Sequence, residues 1–177
     1  MCYDISFSTT IELATDYLPG LVIDPQIGIN YDMNLHAQAQ AFRKYPVIIF
    51  EDGVYKMKAF EWGVIADYMT TPEKVKKMRT AMCNARSEKI IGDTKSYWHR
   101  IRKKRCLIPV TGIFEHREVK GFKNKVPYLV RLKGREVFCL PGLYHYPPKA
   151  DVETGEITGT FTIVTRAANS IMAQIHN

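Results

Sequence analysis

The strongest constraint on the fold is a turn signal in the first third of the chain. Residues 47–50 form a β-branched and aromatic run, and residues 54–57 return as a second strand-like segment. Glu51, Asp52 and Gly53 stand between them. An Asp-Gly pair suits turns that require positive φ. This segment therefore predicts a β-hairpin, and with it an antiparallel sheet.

Other segments add short strands and a few helices. Further strands are predicted at residues 59–65, 106–115 (with breaks at Pro109 and Gly112), 160–165, and in a second hairpin joining 127–132 to 136–140 across 133–135. Helices are predicted at 9–18, after the Thr71-Pro72 start signal, from 93 or 94 to 105, and from Asn169, while the turn-rich residues 21–44 predict surface loops. Short strands with few helices predict an α+β domain built on antiparallel sheets.

Length and charge narrow the class of protein. The chain has 177 residues, which predicts one domain. Its net charge of +7 favours a polyanionic partner, although a contribution to solubility is the simpler explanation of the charge. No apolar run approaches the ~20 residues that a membrane helix needs, and no signal peptide is evident. We expect no membrane association and a cytoplasmic location, close to the nucleoid in a bacterium. The absence of an oligomerisation pattern suggests a monomer.

Metal and cofactor sites are not indicated. The four cysteines and five histidines form no CxxC or HxxxH pair, so we expect neither a metal nor a cofactor. Cys83, Cys106 and Cys139 lie among apolar neighbours and are interpreted as small core residues.

The remaining cysteine, Cys2, follows Met1 directly. Removal of Met1 would give Cys2 a free α-amine, with a pKa of roughly 7.7–8, beside a thiol with an ordinary pKa of about 8.5. This 1,2-aminothiol can attack an acyl group, or condense with an aldehyde to an imine and then a thiazolidine. With Met1 retained, the amine is acylated and no thiazolidine can form. Many chains carry a small residue at position 2 without any catalytic role.

Several short sequence blocks, spread along the chain, support a functional role for Cys2. They are Met1-Cys2, Trp62-Gly63, Asn84-Ala85-Arg86-Ser87-Glu88, Arg105-Cys106-Leu107-Ile108-Pro109, Gly112-Ile113-Phe114-Glu115, and Phe161-Thr162-Ile163-Val164-Thr165 leading to His176. Their order and spacing resemble the SRAP family, the SOS response-associated peptidases, which include the abasic-site processing proteins. The resemblance implies an α+β fold of antiparallel sheets with a barrel-like core, a few flanking helices and a positively charged groove. It also implies covalent linkage to abasic sites in single-stranded DNA.

The resemblance assigns four catalytic roles. Cys2 is similar to the family's nucleophile, and Asn84 to the asparagine that contacts the terminal amine and the substrate. Glu115 resembles the acid/base carboxylate, and His176 the histidine that assists ring opening and later reversal. Simpler roles stay open for three of them: a turn cap for Asn84, a strand-end ion pair with Arg117 for Glu115, and an unstructured chain end for His176.

Three residues are predicted to bind DNA. Arg86 resembles the family's phosphate-binding arginine, although an ion pair with Glu88 is the ordinary alternative. Trp62 resembles part of its surface for bases and backbone. Arg105 closes a basic cluster beside Tyr97 and Trp98, a combination that fits strand binding as well as it fits a solvated helix face.

The chain also departs from the family pattern. Asp4 and Glu61 stand where arginines are usual, and His116 stands where a tryptophan is usual. The family continues past its histidine with an Arg-Met-Pro block, so the resemblance predicts a single SRAP domain over residues 1–177 that lacks a C-terminal segment.

The sequence thus predicts a DNA-damage protein that binds single-stranded DNA and forms a thiazolidine from Cys2 to the abasic-site aldehyde, with lyase or reversal activity as a further function. Two alternatives remain. One is an N-terminal-cysteine peptidase or amidohydrolase, including self-removal of Met1. The other is a non-covalent single-strand-binding module.

Overall fold

The structure, a computed structural model, describes residues 2–25, 27, 34–150 and 155–175. The strands in these residues are β1 (Asp4–Phe7), β2 (Val22–Ile23), β3 (Asn34–Gln38), β4 (Lys44–Glu51), β5 (Val54–Trp62), β6 (Asn84–Arg86), β7 (Arg105–Val110), β8 (Gly112–Arg117), β9 (Val126–Val130), β10 (Phe138–His145) and β11 (Thr160–Thr165). The α-helices are α1 (Pro72–Met78), α2 (Ser87–Ile91) and α3 (Tyr97–Arg100). Short 3₁₀ helices cover Ile11–Ala14, Ala39–Ala41, Arg79–Met82 and Met172–Gln174.

A closed five-stranded barrel forms the centre of the fold. Its larger sheet has the strand order β2-β5-β4-β7-β10-β11-β6, and a further pairing between β5 and β11 closes β5, β4, β7, β10 and β11 on themselves. Closure satisfies strand edges that would otherwise be open to other chains. Trp62 and Phe161, paired in register across the closing seam, stack with ring centroids 5.8 Å apart. The predicted α+β architecture with a barrel-like core is confirmed.

A second sheet, of order β3-β1-β8-β9, packs beside the barrel. The chain crosses from barrel to second sheet at Thr111, whose N–H donates to the Ser6 carbonyl at 2.7 Å. Gly112 follows, and a Cβ there would lie 2.6 Å from a Leu129 methyl group and 3.1 Å from the Val130 carbonyl oxygen. The predicted single strand at 106–115 is therefore two strands, β7 and β8, in different sheets.

The predicted hairpin at 47–57 is confirmed as β4 and β5. Asp52 and Gly53 both have positive φ, 53° and 79°, as a two-residue turn of this hand requires. The separate strand predicted at 59–65 is instead the continuation of β5, which runs to Trp62.

The second predicted hairpin is wrong. β9 pairs with β8, whereas β10 pairs with β7 and β11 in the barrel. The turn-like residues 133–135 thus connect two sheets rather than two paired strands. The loops predicted at 21–44 also contain the strands β2 and β3, which gain partners from β5 and β1.

The predicted helices are shorter than expected. α1 begins as predicted, with the Thr71 hydroxyl accepting a hydrogen bond from the Lys74 N–H at 3.4 Å. The helix predicted to reach residue 105 is confined to Tyr97–Arg100, capped by Ser96, and the segments near 11 and 172 are single 3₁₀ turns. None of the helices in the described ranges has the length and apolar character needed to cross a membrane.

Candidate active site

A cavity of about 810 Å³ opens between the two sheets, beside the start of β1. β8 contributes Glu115 and His116, β11 contributes Ile163 and Thr165, and the junction of β6 with α2 contributes Arg86. Cys2 lines the same cavity. The fold thus brings three of the predicted site residues, Cys2, Arg86 and Glu115, to one place although they are distant in sequence.

Cys2 is nearly buried, with 8% of its surface exposed, and its thiol donates to the Asp4 carbonyl oxygen at 3.9 Å. Burial, and secondly the nearby Glu115 carboxylate, raises the pKa of the Cys2 thiol to about 12. The thiol is therefore protonated at neutral pH. Glu115 is itself buried, at 8% exposure.

Asn84 lies on β6 behind the cavity and does not line it, whereas its strand partner Ile163 does. It is in register with Ile163, and Arg86 is in register with Thr165, on the parallel pair β6–β11. Both polar atoms of the Asn84 amide and the hydroxyl of Thr165 are buried, and they have no hydrogen-bond partner among the described residues. Buried polar groups are nearly always paired, so the Thr165 hydroxyl, which lines the cavity, marks a place where a ligand would complete the hydrogen bonding.

Sequence reasoning named Asn84 but missed Thr165 as a separate site residue. Thr165 lies in a quoted block, and the signal that could have found it is its spacing from Ile163 on an alternating strand that ends at the site.

Charges of both signs surround the cavity. The carboxylates are Asp4, Glu88 and Glu115, and the cations are Arg86, Lys125 and Arg166. Arg86 is exposed and makes no ion pair within the described ranges, so the alternative pairing with Glu88 is not formed. A guanidinium that is free at a cavity mouth suits a phosphate group.

Asp4, where the family usually has arginine, links two histidines at the rim. Its carboxylate accepts from His36 Nε2 at 2.8 Å and lies 3.9 Å from His116 Nδ1. The His36 ring packs against Phe114 with centroids 4.9 Å apart. No set of three or more His, Cys, Asp or Glu residues in the described ranges could hold a metal ion.

The other predicted site residues lie elsewhere. Trp62 is buried at 2% exposure and lines a smaller cavity of about 190 Å³ with Arg43 and Lys44. Arg105 is exposed and does not line the Cys2 cavity. His176 and Met1 lie outside the described residues. DNA contact by Trp62 and Arg105, and proton transfer by His176, stay predictions.

Comparison with known sequences identifies the family. The family described as SOS response associated peptidase (SRAP) matches residues 9–177. The chain belongs to the SRAP family. The match begins at residue 9 and so does not include Cys2. Support for a role of Cys2 in this SRAP protein therefore comes from the geometry of the cavity.

Two named relatives are consistent with membership of the SRAP family. The abasic site processing protein YoqW of Bacillus subtilis (strain 168) is 29% identical over 130 residues, which are 73% of this chain and 54% of YoqW. The abasic site processing protein YMR114C of Saccharomyces cerevisiae is 26% identical over 128 residues, 72% of this chain and 32% of the yeast protein. This SRAP chain spans about half the length of its Bacillus relative.

A crystal structure of a protein from Bacteroides thetaiotaomicron superposes with a TM-score of 0.81 at 33% identity, covering 98% of this chain and 72% of the other. The SRAP fold therefore extends over nearly the whole of the sequence.

Proposed function

We propose that this SRAP protein processes abasic sites in single-stranded DNA by trapping the sugar aldehyde on Cys2. The observation that carries the proposal is the single cavity that contains the Cys2 thiol, the Glu115 carboxylate and the Arg86 guanidinium. Relatives named abasic site processing proteins support the same substrate class. Trapping would shield the damaged strand from cleavage until repair.

The proposed reaction begins after Met1 is removed. The Cys2 amine attacks the aldehyde carbon, a C–N bond forms, and a proton moves from nitrogen to the carbonyl oxygen. Loss of that hydroxyl as water gives an imine. The sulfur then adds to the imine carbon, and the thiol proton passes to nitrogen as the ring closes. One water is released, and nothing is oxidised or reduced.

Glu115 suits the proton transfers of this sequence. A buried carboxylate beside the thiol can accept the amine proton and return it to the departing hydroxyl. Asn84 does not line the cavity, and its part in the proposal is that the bound sugar reaches its unpartnered amide, which can hold the amine or the sugar hydroxyl without adding charge. Arg86 would bind the adjacent phosphate through its planar fork.

The raised pKa of the Cys2 thiol, which applies to the chain before Met1 is removed, supports this proposal over peptidase chemistry. A cysteine peptidase attacks with a thiolate, which its site stabilises by lowering the thiol pKa. Here burial and Glu115 raise that pKa to about 12. An amine-first attack on an aldehyde does not need a thiolate at the start, so the cavity favours aldehyde trapping over amide hydrolysis.

The test is the intact mass of the protein after incubation with single-stranded DNA carrying one abasic site. We expect the mass of protein plus DNA minus one water, resistant to denaturant, and only from chains that have lost Met1. Cys2→Ala should abolish the adduct, and Cys139→Ala, a matched control outside the cavity, should retain it.

The rival functions give different results in the same assay. A peptidase would cleave an amide without DNA, and a non-covalent binding module would bind intact strands but give no adduct. An adduct that persists in Cys2→Ala would overturn the proposal. Slow release of intact abasic DNA from the adduct would support the reversal activity assigned to His176.

A further inference from the structure

The hairpin of β8 and β9 continues the cavity surface outward. Glu115 is in register with Tyr128, and Arg117 with Val126. Directly opposed residues on antiparallel strands project from the same face. Tyr128 therefore projects from the same face of the sheet as Glu115, one strand spacing of about 4.8 Å further out, and lies beyond the residues that line the cavity. Glu115 is buried, whereas Tyr128 is 39% exposed.

β9 is the last strand of its sheet, and its connection to β8 carries an exposed ring. Phe122 is 67% exposed, in a turn closed by its own N–H donating to the Val119 carbonyl at 3.1 Å. Most of the Phe122 ring is open to solvent, where the flat face of a base could cover it. Together Phe122 and Tyr128 offer two flat apolar surfaces leading away from the cavity.

Cations accompany these two rings. Lys125 lines the cavity and lies 3.4 Å from the Glu118 carboxylate. Arg117, Lys120 and Lys123 are exposed and make no ion pair with any residue that the structure describes. The turn thus offers positive charge that the protein itself does not neutralise.

The β4–β5 hairpin of the same chain is a useful comparison, because its exposed rings and lysines already have partners within the protein. Its exposed rings, Phe50 and Tyr55, pack on each other with centroids 5.1 Å apart. Its lysines are paired, since Lys56 contacts Asp52 and Lys58 lies 2.6 Å from Glu51. By contrast, Phe122 and Tyr128 have unpaired cations around them.

We propose that the β8–β9 hairpin is a binding surface for single-stranded nucleic acid, over which the strand leaves the Cys2 cavity. Tyr128 and then Phe122 stack on successive bases, and Arg117, Lys120 and Lys123 neutralise the phosphates. Aromatic platforms with interleaved cations bind single strands without sequence preference because every base has a flat face. This inference rests on the proposed function, which places the reacting nucleotide in the cavity.

The test compares intact single strands of about 4 and about 16 nucleotides, the range of site sizes on such surfaces, by fluorescence anisotropy. We expect Phe122→Ala with Tyr128→Ala to weaken binding of the long strand by at least tenfold, on the order of one lost stacking platform, and to leave the short strand unchanged. The double change Lys120→Gln with Lys123→Gln should also weaken binding of the long strand. Circular dichroism should show that this variant keeps its fold. Phe50→Ala with Tyr55→Ala is the matched control and should change neither affinity.

Three results would overturn the proposal. The first is equal loss of affinity for both strand lengths, and the second is the same loss from the control pair. The third is binding of a poly-glutamate peptide that the Phe122 and Tyr128 changes abolish while strand affinity is unchanged, which would assign the surface to an acidic protein partner. Since intact DNA is used, failure of aldehyde trapping is a separate result, read from the Cys2 adduct.

Discussion

The indole N–H of Trp62 donates a hydrogen bond to the carbonyl oxygen of Cys83, with a nitrogen–oxygen distance of 2.9 Å. The same oxygen accepts the Ile163 N–H at 3.2 Å. Cys83 directly precedes Asn84, so Trp62 holds the backbone that carries the Asn84 amide. A residue expected at the DNA surface is thus buried in the core, and we predict that it acts there as a positioning residue.

Trp62→Phe should separate these two roles. The change keeps a ring against Phe161 but removes the N–H, and we expect a loss of about 1–3 kcal/mol in unfolding free energy from the hydrogen bond and the smaller ring. Adduct formation, followed on a denaturing gel, should slow, while strand affinity, measured by anisotropy, should stay constant. Denaturation measures the change in unfolding free energy. Trp98→Phe, at the other tryptophan, should leave the adduct rate unchanged. Lower strand affinity with unchanged stability would instead support direct DNA contact by Trp62.

Thr165→Val tests the unpartnered hydroxyl at the cavity. Replacing a buried, unpaired hydroxyl by a methyl group of the same shape should be neutral or stabilising, by up to about 1–3 kcal/mol. The adduct should nevertheless form more slowly, because the ligand loses a hydrogen bond. Thr162→Val is the control, since its buried hydroxyl is also unpartnered among the described residues but does not line the cavity. Equal rates for both variants would remove Thr165 from the site.

The pH dependence of Cys2 alkylation tests the electrostatics of the cavity. Burial and Glu115 raise the thiol pKa to about 12, so the thiolate fraction at pH 8 is small and grows about tenfold per pH unit up to the pKa. Glu115→Gln removes the second cause and lowers that pKa, so alkylation at pH 8 should become faster. Peptide mass spectrometry measures both variants, with Cys139 as internal control because burial alone raises its pKa. An unchanged Cys2 rate would contradict the proposed proximity of the two groups.

Asp4→Asn tests the negative charge at the rim. The asparagine can still accept from His36, but the cavity loses one of its carboxylates. We expect affinity for an intact single strand to rise about two- to fivefold at low salt, and the gain to vanish at high salt as the charge is screened. Asp16→Asn, an exposed acid outside the cavity, should show no such gain. If both variants behave alike, Asp4 does not face the bound strand.

Local chemistry determined part of this structure. The turn at Asp52 and Gly53 and the cap at Thr71 each depend on residues within a few positions, so both were predictable with their bounds nearly right. Cys2, Asn84, Arg86 and Glu115 could be named from blocks of sequence.

Only the tertiary structure decided which elements meet. β9 and β10 are neighbours in sequence with a turn-like connection, yet they belong to different sheets, because β9 pairs with β8 whereas β10 pairs with β7 and β11. The same long-range pairing turns Trp62 inward, leaves the Asn84 amide and the Thr165 hydroxyl buried and unpartnered in the described structure, and raises the pKa of the Cys2 thiol. Burial and strand pairing depend on the whole folded chain, so they cannot be predicted from the hydrophobic alternation within a single strand.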